Sequence, residues 1–526
     1  MLGTFESLRL SAIRFPTKTA VVDDRRALTF GGLRETANRL GNALAGSGLR
    51  AGDRVALYAS NSVELFAAYY ALERNGLVAV PINIRLVGPE IEYIVNHSGA
   101  RAMLVSPELL PEVARVRADL GVDPHRYVLM SDKAGDALPS VMDLIDAAPS
   151  HEVRIPQTPA DVEAIFYTSG TTGFPKGVMR TRAGEDWVRV SHIAEWGLAH
   201  EDVNYCVGPL FHNSFLAMAQ MHVALGATVV IQHGWEAERA LRTISEHGVT
   251  TAFLVPTMSK DLVDLPAATR ARHVTRRFAR LVSSASALPT ALKEQLLSVF
   301  PGLLLNEAYG WTEVMWVTNL RPADQMRKVR CVGKPLLGAR VEVLDEQGAP
   351  VAPGTPGEIH ARMATGFAGY FKDDERTRAV TRGDLITGGD IGTVDDEGYL
   401  YVLDRKNDMI ICGGENVYPI EIDEVIARHP KVKEVAVVGL PHPRLGEICH
   451  ATVVLQPGAT ATEQDIIDFC SGRLARFKWP RAVTFVSELP RNAMGKLLKR
   501  ELRARYAGAA ALGEKSTAAL PTRRNE

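Results

Sequence analysis

Short apolar runs alternate with amphipathic ones through most of the chain. The run GDRVALYAS (52–60) follows a turn signal and is β-rich and apolar. From Ser62 to Asn75 the apolar residues recur at helical spacing. GLVAVPIN and RAMLVSP come next, each short, β-branched and buried in character. This alternation predicts an α/β fold, with layered sheets of largely parallel strands and helices between them. The most apolar long stretch, Leu216 to Ile231, is 16 residues and contains Gln220 and His222. It is too short and too polar for a spanning helix and is read as buried core. No repeat of 20–50 residues is visible.

Near the end the texture changes. GYLYVLDRKNDMIICGGENVYP (398–419) packs charges and glycines between two apolar runs. Behind it lie helix-like IEIDEVIARHP, strand-like VKEVAVVGL and HATVVLQP, helix-like EQDIIDFCSGRLA and strand-like RAVTFVSELP. Their order predicts a small α+β domain with its own core. The expected organisation is a large α/β domain over 1–404, a junction at 405–407, a small domain over 408–506 and a tail over 507–526. That tail is Ala-rich, polar and aperiodic, and is expected to be disordered.

Composition narrows the partners. Hydrophobic residues make up 46% of the 526, enough for a sizeable core. With 60 basic and 61 acidic residues, the chain has no global field that would draw in nucleic acid or an anionic membrane. The five cysteines lie far apart without metal-ligand spacing, which favours a reduced, intracellular protein. The first residues show no apolar signal-peptide core, so a cytoplasmic location is expected.

The strongest chemical signal is DVEAIFYTSGTTGFPKGV (161–178). A strand-like run ends in Thr168, Ser169, Gly170, Thr171, Thr172 and Gly173, and Lys176 follows shortly after. Glycines and hydroxyls after a buried strand let backbone N–H groups converge on an anion, and the lysine adds charge. The spacing is not that of a Walker A loop.

YTSGTTGFPKGV resembles the phosphate loop of the adenylate-forming superfamily, which holds acyl-CoA synthetases, stand-alone adenylation domains and firefly-type luciferases. Five further segments follow in the family's order. Tyr309-Gly310-Trp311-Thr312-Glu313 resembles the segment whose aromatic ring packs on adenine and whose threonine and glutamate face phosphate and magnesium. Gly389-Asp390 is similar to the segment whose aspartate accepts hydrogen bonds from both ribose hydroxyls, although Gly388 replaces the commoner threonine. Asp404 to Asp408 resembles the hinge segment, placing Arg405 at the ribose and Asn407 at the hinge. Asparagine tolerates unusual φ/ψ, which suits a hinge. Gly413 and Gly414, in Cys412 to Pro419, match the loop that lines the thiol tunnel. Pro490 to Lys496 resembles the C-terminal segment whose lysine bridges the carboxylate and the α-phosphate. The resemblance runs from about residue 5 to residue 505.

The resemblance implies the cofactors ATP, Mg²⁺ and CoA. Lys496, Glu313 and His212 are the implied catalytic residues, and Glu313 with Thr168 the metal site. By analogy Phe215, Phe253, Trp311 and Met315 line the acyl channel, with no obvious cation for a second carboxylate. His212 flanks the substrate or is a satisfied core histidine, with equal weight on each reading. Lys478 and Arg481 contact CoA or form a solvated basic face, again with equal weight. The expected activity is conversion of a hydrophobic carboxylic acid to its acyl-AMP and then its CoA thioester. A ligase that loads a carrier-protein phosphopantetheine is the alternative, with a luciferase-like oxidase behind it. Expected partners are small molecules only. The oligomeric state is open, a homodimer included.

Overall fold

The computed structural model describes residues 3–134, 138–153, 155–168, 175–273, 275–363, 366–406, 408–412, 415–491 and 497–510. The chain divides into two compact units. The first holds residues up to Glu342 with His360–Gly388 and Glu397–Leu400, and the second holds Val343–Ile359, Gly389–Asp396 and everything from Tyr401.

The first unit is built on a nine-stranded and a seven-stranded sheet. In the seven-stranded sheet Arg54–Tyr58 lies parallel to both Val78–Pro81 and Ala100–Val105, and Val78–Pro81 is parallel to Val162–Thr168. One edge turns antiparallel, where Val162–Thr168 pairs with Lys176–Thr181, which in turn pairs with Phe367–Tyr370. The nine-stranded sheet has parallel pairs from Thr19–Val22 through to Leu304–Trp311 and antiparallel pairs at both ends, with Ala27–Thr29 on one side and Met315–Leu320 then Lys334–Pro335 on the other. Parallel strands arise here because helices connect them and cover the faces.

The helix read from Ser62 to Asn75 is Val63–Arg74, with the Ser62 side chain accepting a hydrogen bond from the Leu65 N–H as its N-cap. The apolar stretch 216–231 is not one element. It ends the helix Asn213–Leu225, turns at Gly226 and forms the strand Thr228–Ile231. Gly226 sits at φ 86°, and a Cβ there would lie 2.3 Å from the Phe15 ring. Only glycine meets both conditions. No described helix is long and apolar enough to cross a membrane.

The second unit contains a five-stranded sheet in which Val432–His442 and Gly446–Leu455 pair antiparallel and Ala482–Phe485 adds in parallel. Pro419–Ala427 and Glu463–Phe469 are its helices, and Ile422, Ile426 and Ile466 bury their side chains in its core. The final helix, Lys499–Ala510, extends beyond the expected end of order at 506. Ala507, Ala509 and Ala510 have the highest helix propensity of any residue, and that carries the helix on. Residues 511–526 of the expected tail lie outside the described residues. All five cysteines are free thiols and buried.

Candidate functional site

The strand Val162–Thr168 delivers the Gly-rich segment, and Lys176–Thr181 receives the chain on the far side. Thr168 and Lys176 face each other in the register, so the segment leaves and re-enters the sheet at adjacent points. Tyr167 holds the outgoing end through a 2.8 Å hydrogen bond with the His97 ring, and the Tyr93 hydroxyl donates to the Pro175 carbonyl at 3.2 Å on the return. Ser169, Gly170, Thr171, Thr172 and Gly173 lie outside the described residues.

Glu313 sits in the turn between Leu304–Trp311 and Met315–Leu320. The turn is tight. The ladder shifts register between Tyr309 and Gly310, and Met315 adopts φ 61°. A Cβ on Gly310 would fall 1.6 Å from the Met315 carbonyl oxygen, so glycine is required at that point. The Glu313 carboxylate is almost fully buried, with 5% of its surface exposed. Its Oε1 accepts from the Lys176 ammonium at 2.8 Å and from the Tyr370 hydroxyl at 2.6 Å. Lys176 also donates to the Tyr370 oxygen at 2.7 Å and lies 4.4 Å from the centre of its ring. Burial, and then the adjacent carboxylate, push the Tyr370 phenol far above its usual pKa, so it stays a donor. Sequence reading missed Tyr370, because nothing in its local sequence ties it to a loop some 200 positions earlier.

The aromatic residues divide. Tyr309 and Trp311 are partly exposed, their ring centres 5.8 Å apart, and Thr312 lies beside them. Phe215 and Phe253 are buried edge to face at 4.7 Å. Trp316 continues that stack at 5.5 Å from Phe253. Met315, expected in the channel, is buried at the positive-φ corner of the turn. His212 is the N-cap of Asn213–Leu225, its ring nitrogen accepting from the Ser214 N–H at 3.3 Å.

In the second unit Asp390 and Arg405 form an ion pair at 3.5 Å, beside Gly389 at φ 78°. Lys478 pairs with Glu421. Asn407, Gly413, Gly414 and Lys496 lie outside the described residues.

The lysine that follows the Gly-rich segment thus meets one buried glutamate from the Tyr309–Glu313 segment. Residues 8–371 match the family model for the AMP-binding enzyme, and 421–496 match that of the AMP-binding enzyme C-terminal domain. The chain belongs to the AMP-binding enzyme family. A fatty acid–[acyl-carrier-protein] ligase, ScoC of Streptomyces coeruleorubidus, is 34% identical over 511 residues, covering 94% of each chain. A feruloyl-CoA synthase of an Amycolatopsis species is also 34% identical, over 93% of this chain and 96% of its own. Among solved structures, the anthranilate CoA ligase AuaEII in complex with anthranoyl-AMP superposes with a TM-score of 0.90 at 28% identity, covering 97% of this chain and 98% of that one.

The donor set of this AMP-binding enzyme can be tested against a divalent cation. Among the described residues no group of three or more His, Cys, Asp or Glu could hold a metal ion by itself. The site offers one buried carboxylate and the Thr168 hydroxyl, whose oxygen is buried without a hydrogen-bond partner among the described residues. That set does not suit a metal caged by protein alone. It does suit Mg²⁺ that arrives on phosphates and takes only one or two protein ligands.

Proposed function

We propose that the chain joins a hydrophobic carboxylic acid to AMP from ATP and then transfers the acyl group to the thiol of CoA. The convergence of Lys176, Tyr370 and the buried Glu313 carboxylate at the mouth of the Gly-rich segment carries this reading. In the first step a carboxylate oxygen attacks the α-phosphorus and the bond to pyrophosphate breaks. In the second, the CoA thiolate attacks the acyl carbon and AMP leaves, the thiol proton going to solvent.

Glu313 and Thr168 would hold Mg²⁺, which when bound neutralises charge on the phosphates. Lys176 would turn from Glu313 to a phosphate oxygen, and Lys496 would bridge the attacking carboxylate and the α-phosphate. Donors aimed at developing charge are worth about 3–4 kcal/mol each in such a site. Asp390 would accept from the ribose hydroxyls, with Arg405 beside it. Tyr309 would pack on the base, Trp311 would face the acid, and the buried rings of Phe215 and Phe253 would shape the apolar end. Asn407 would serve as the hinge, withdrawing Lys496 and admitting Gly413 and Gly414 for the thiol step. Lys478 would need to release Glu421 to reach a CoA phosphate.

The likeness to ScoC favours a second reading, in which the acceptor is a carrier-protein phosphopantetheine. One incubation separates the two: purified protein with ATP, Mg²⁺, CoA and a panel of carboxylic acids, read by mass spectrometry. Acyl-CoA with stoichiometric AMP supports the CoA ligase. Acyl-AMP without thioester supports the carrier-protein ligase. Absence of both acyl-AMP and acid-dependent AMP refutes both.

A further inference from the structure

Arg180 lies on the strand that carries Lys176 and is fully buried, with 0% of its surface exposed. Burying a guanidinium is costly unless its donors are used. Here Nε donates to Glu185 Oε1 at 2.7 Å and Nη1 to the backbone carbonyls of Glu313 at 2.7 Å and Thr312 at 3.4 Å, while Nη2 is buried with no hydrogen-bond partner among the described residues. These carbonyls belong to the turn that bears the Glu313 carboxylate. The register shift at Gly310 and the positive φ of Met315 take this turn out of the regular ladder. Buried carbonyls outside a ladder need another donor, and arginine presents several in a fixed fork.

Lys176 and Arg180 are four residues apart on one strand, so their side chains leave the same face. Lys176 takes the carboxylate of Glu313 and Arg180 takes its main chain. Gly366, at φ 152°, leaves the space Arg180 occupies, since a Cβ there would come within 2.9 Å of Nη1.

We propose that Arg180 is a positioning residue that fixes the Thr312–Glu313 turn by its backbone, so that the Glu313 carboxylate is held ready for a phosphate-borne cation. Glu185 orients the guanidinium. The inference rests on the reading of Glu313 given above, and its test has one arm that does not depend on that reading.

The full-length chain is made as Arg180→Lys, which keeps the charge and loses the fork, and as Glu185→Gln, which perturbs the same buried pair without touching the turn. Hydrogen exchange is followed in the peptide spanning 309–316, and the Mg²⁺ dependence of acid-dependent pyrophosphate–ATP exchange is measured in parallel. In Arg180→Lys, exchange in that peptide rises about tenfold or more, the size expected for a lost charge-assisted hydrogen bond, while distant strands stay within about twofold. The Mg²⁺ concentration for half-maximal rate rises by a similar factor and KM for the acid does not. Glu185→Gln keeps a side-chain oxygen that accepts from Nε, so the guanidinium stays oriented and neither readout changes. Unaltered exchange across 309–316 in Arg180→Lys overturns the proposal, as does an equal response in Glu185→Gln. A wild-type protein without acid-dependent exchange refutes the reaction instead, and the hydrogen-exchange arm still decides what Arg180 does.

Discussion

Replacing Lys176 with methionine keeps most of the side-chain volume and removes the ammonium. Glu313 is then a nearly buried carboxylate whose described donors reduce to the Tyr370 hydroxyl at 2.6 Å. At the observed 2.8 Å, the Lys176–Glu313 attraction is roughly 6 kcal/mol at an effective dielectric of about 20. Much of that is offset by the cost of desolvating both groups. Loss of one partner from a fully buried pair costs about 3–5 kcal/mol. Lys176 keeps 23% of its side chain exposed, so about 2–3 kcal/mol is the expected net loss. For a unit of several hundred residues this is a fall in melting temperature of roughly 3 °C. Calorimetry of Lys176→Met, Glu313→Gln and the double variant measures it. Neutralising Glu313 in the Lys176→Met background should restore most of the loss, because what destabilises the single variant is the unmet charge. Two single-variant losses that simply add would refute the account, since independent sites add and coupled ones do not.

Three further outcomes follow from other parts of the chain. Burial, and then the neighbouring Glu73 charge, raise the Glu163 carboxyl to about 8 from its usual 4.5. Folding therefore takes up a proton here, so stability should fall as pH rises from about 4.5 to 8, and Glu163→Gln should flatten denaturant midpoints measured across that window. Lys496→Ala should slow acid-dependent pyrophosphate exchange by about 10²–10³ while leaving thioester formation from supplied acyl-AMP nearly intact; comparable loss of both would sink that division of labour. Phe253→Ala removes a ring packed between Phe215 and Trp316 and should cost about 3–5 kcal/mol in stability. If those rings shape the apolar end of the acid site, the surviving activity should shift toward bulkier acids, and an unchanged acid profile would show that they are core alone.

Most of the first unit's architecture was legible, because parallel sheets produce unbroken apolar strands joined by amphipathic helices, as in GDRVALYAS and the helix after Ser62. The break at Gly226 was less so. The run reads as buried core without an internal boundary, and the close approach of Phe15 shows why the chain must turn there. Of the cluster around Glu313, the two members in contiguous motifs could be read, Lys176 and Glu313. Those that complete it from elsewhere could not. Tyr370 and Glu185 carry no pattern of their own, and Arg180 looks like one more basic residue in KGVMRTR, although its side chain is fully buried. Their roles exist only once Phe367–Tyr370 pairs with Lys176–Thr181 and the turn at Glu313 closes over both. Lys478 reads in sequence as an available cation and is paired with Glu421 in the fold.

These contacts bear on how one buried acid can serve a nucleotide site. An unpaired Glu313 would be too costly to bury, and would recover water by opening the turn. Lys176 and Tyr370 remove that cost by giving the carboxylate two donors while Arg180 holds its backbone. On the proposed reading, Lys176 is also the group that a phosphate would attract. When it exchanges the Glu313 oxygen for a phosphate oxygen, the carboxylate becomes available just as a phosphate-borne cation is present to take it. No ion pair would be lost without replacement in the exchange, so the nucleotide need not supply the full cost of breaking a buried pair. A site that held Glu313 with its side-chain partners alone would lose the turn's position at that moment. On the proposed reading, the hydrogen bond from Arg180 to the main chain would persist when Lys176 left, and the carboxylate would stay where it was.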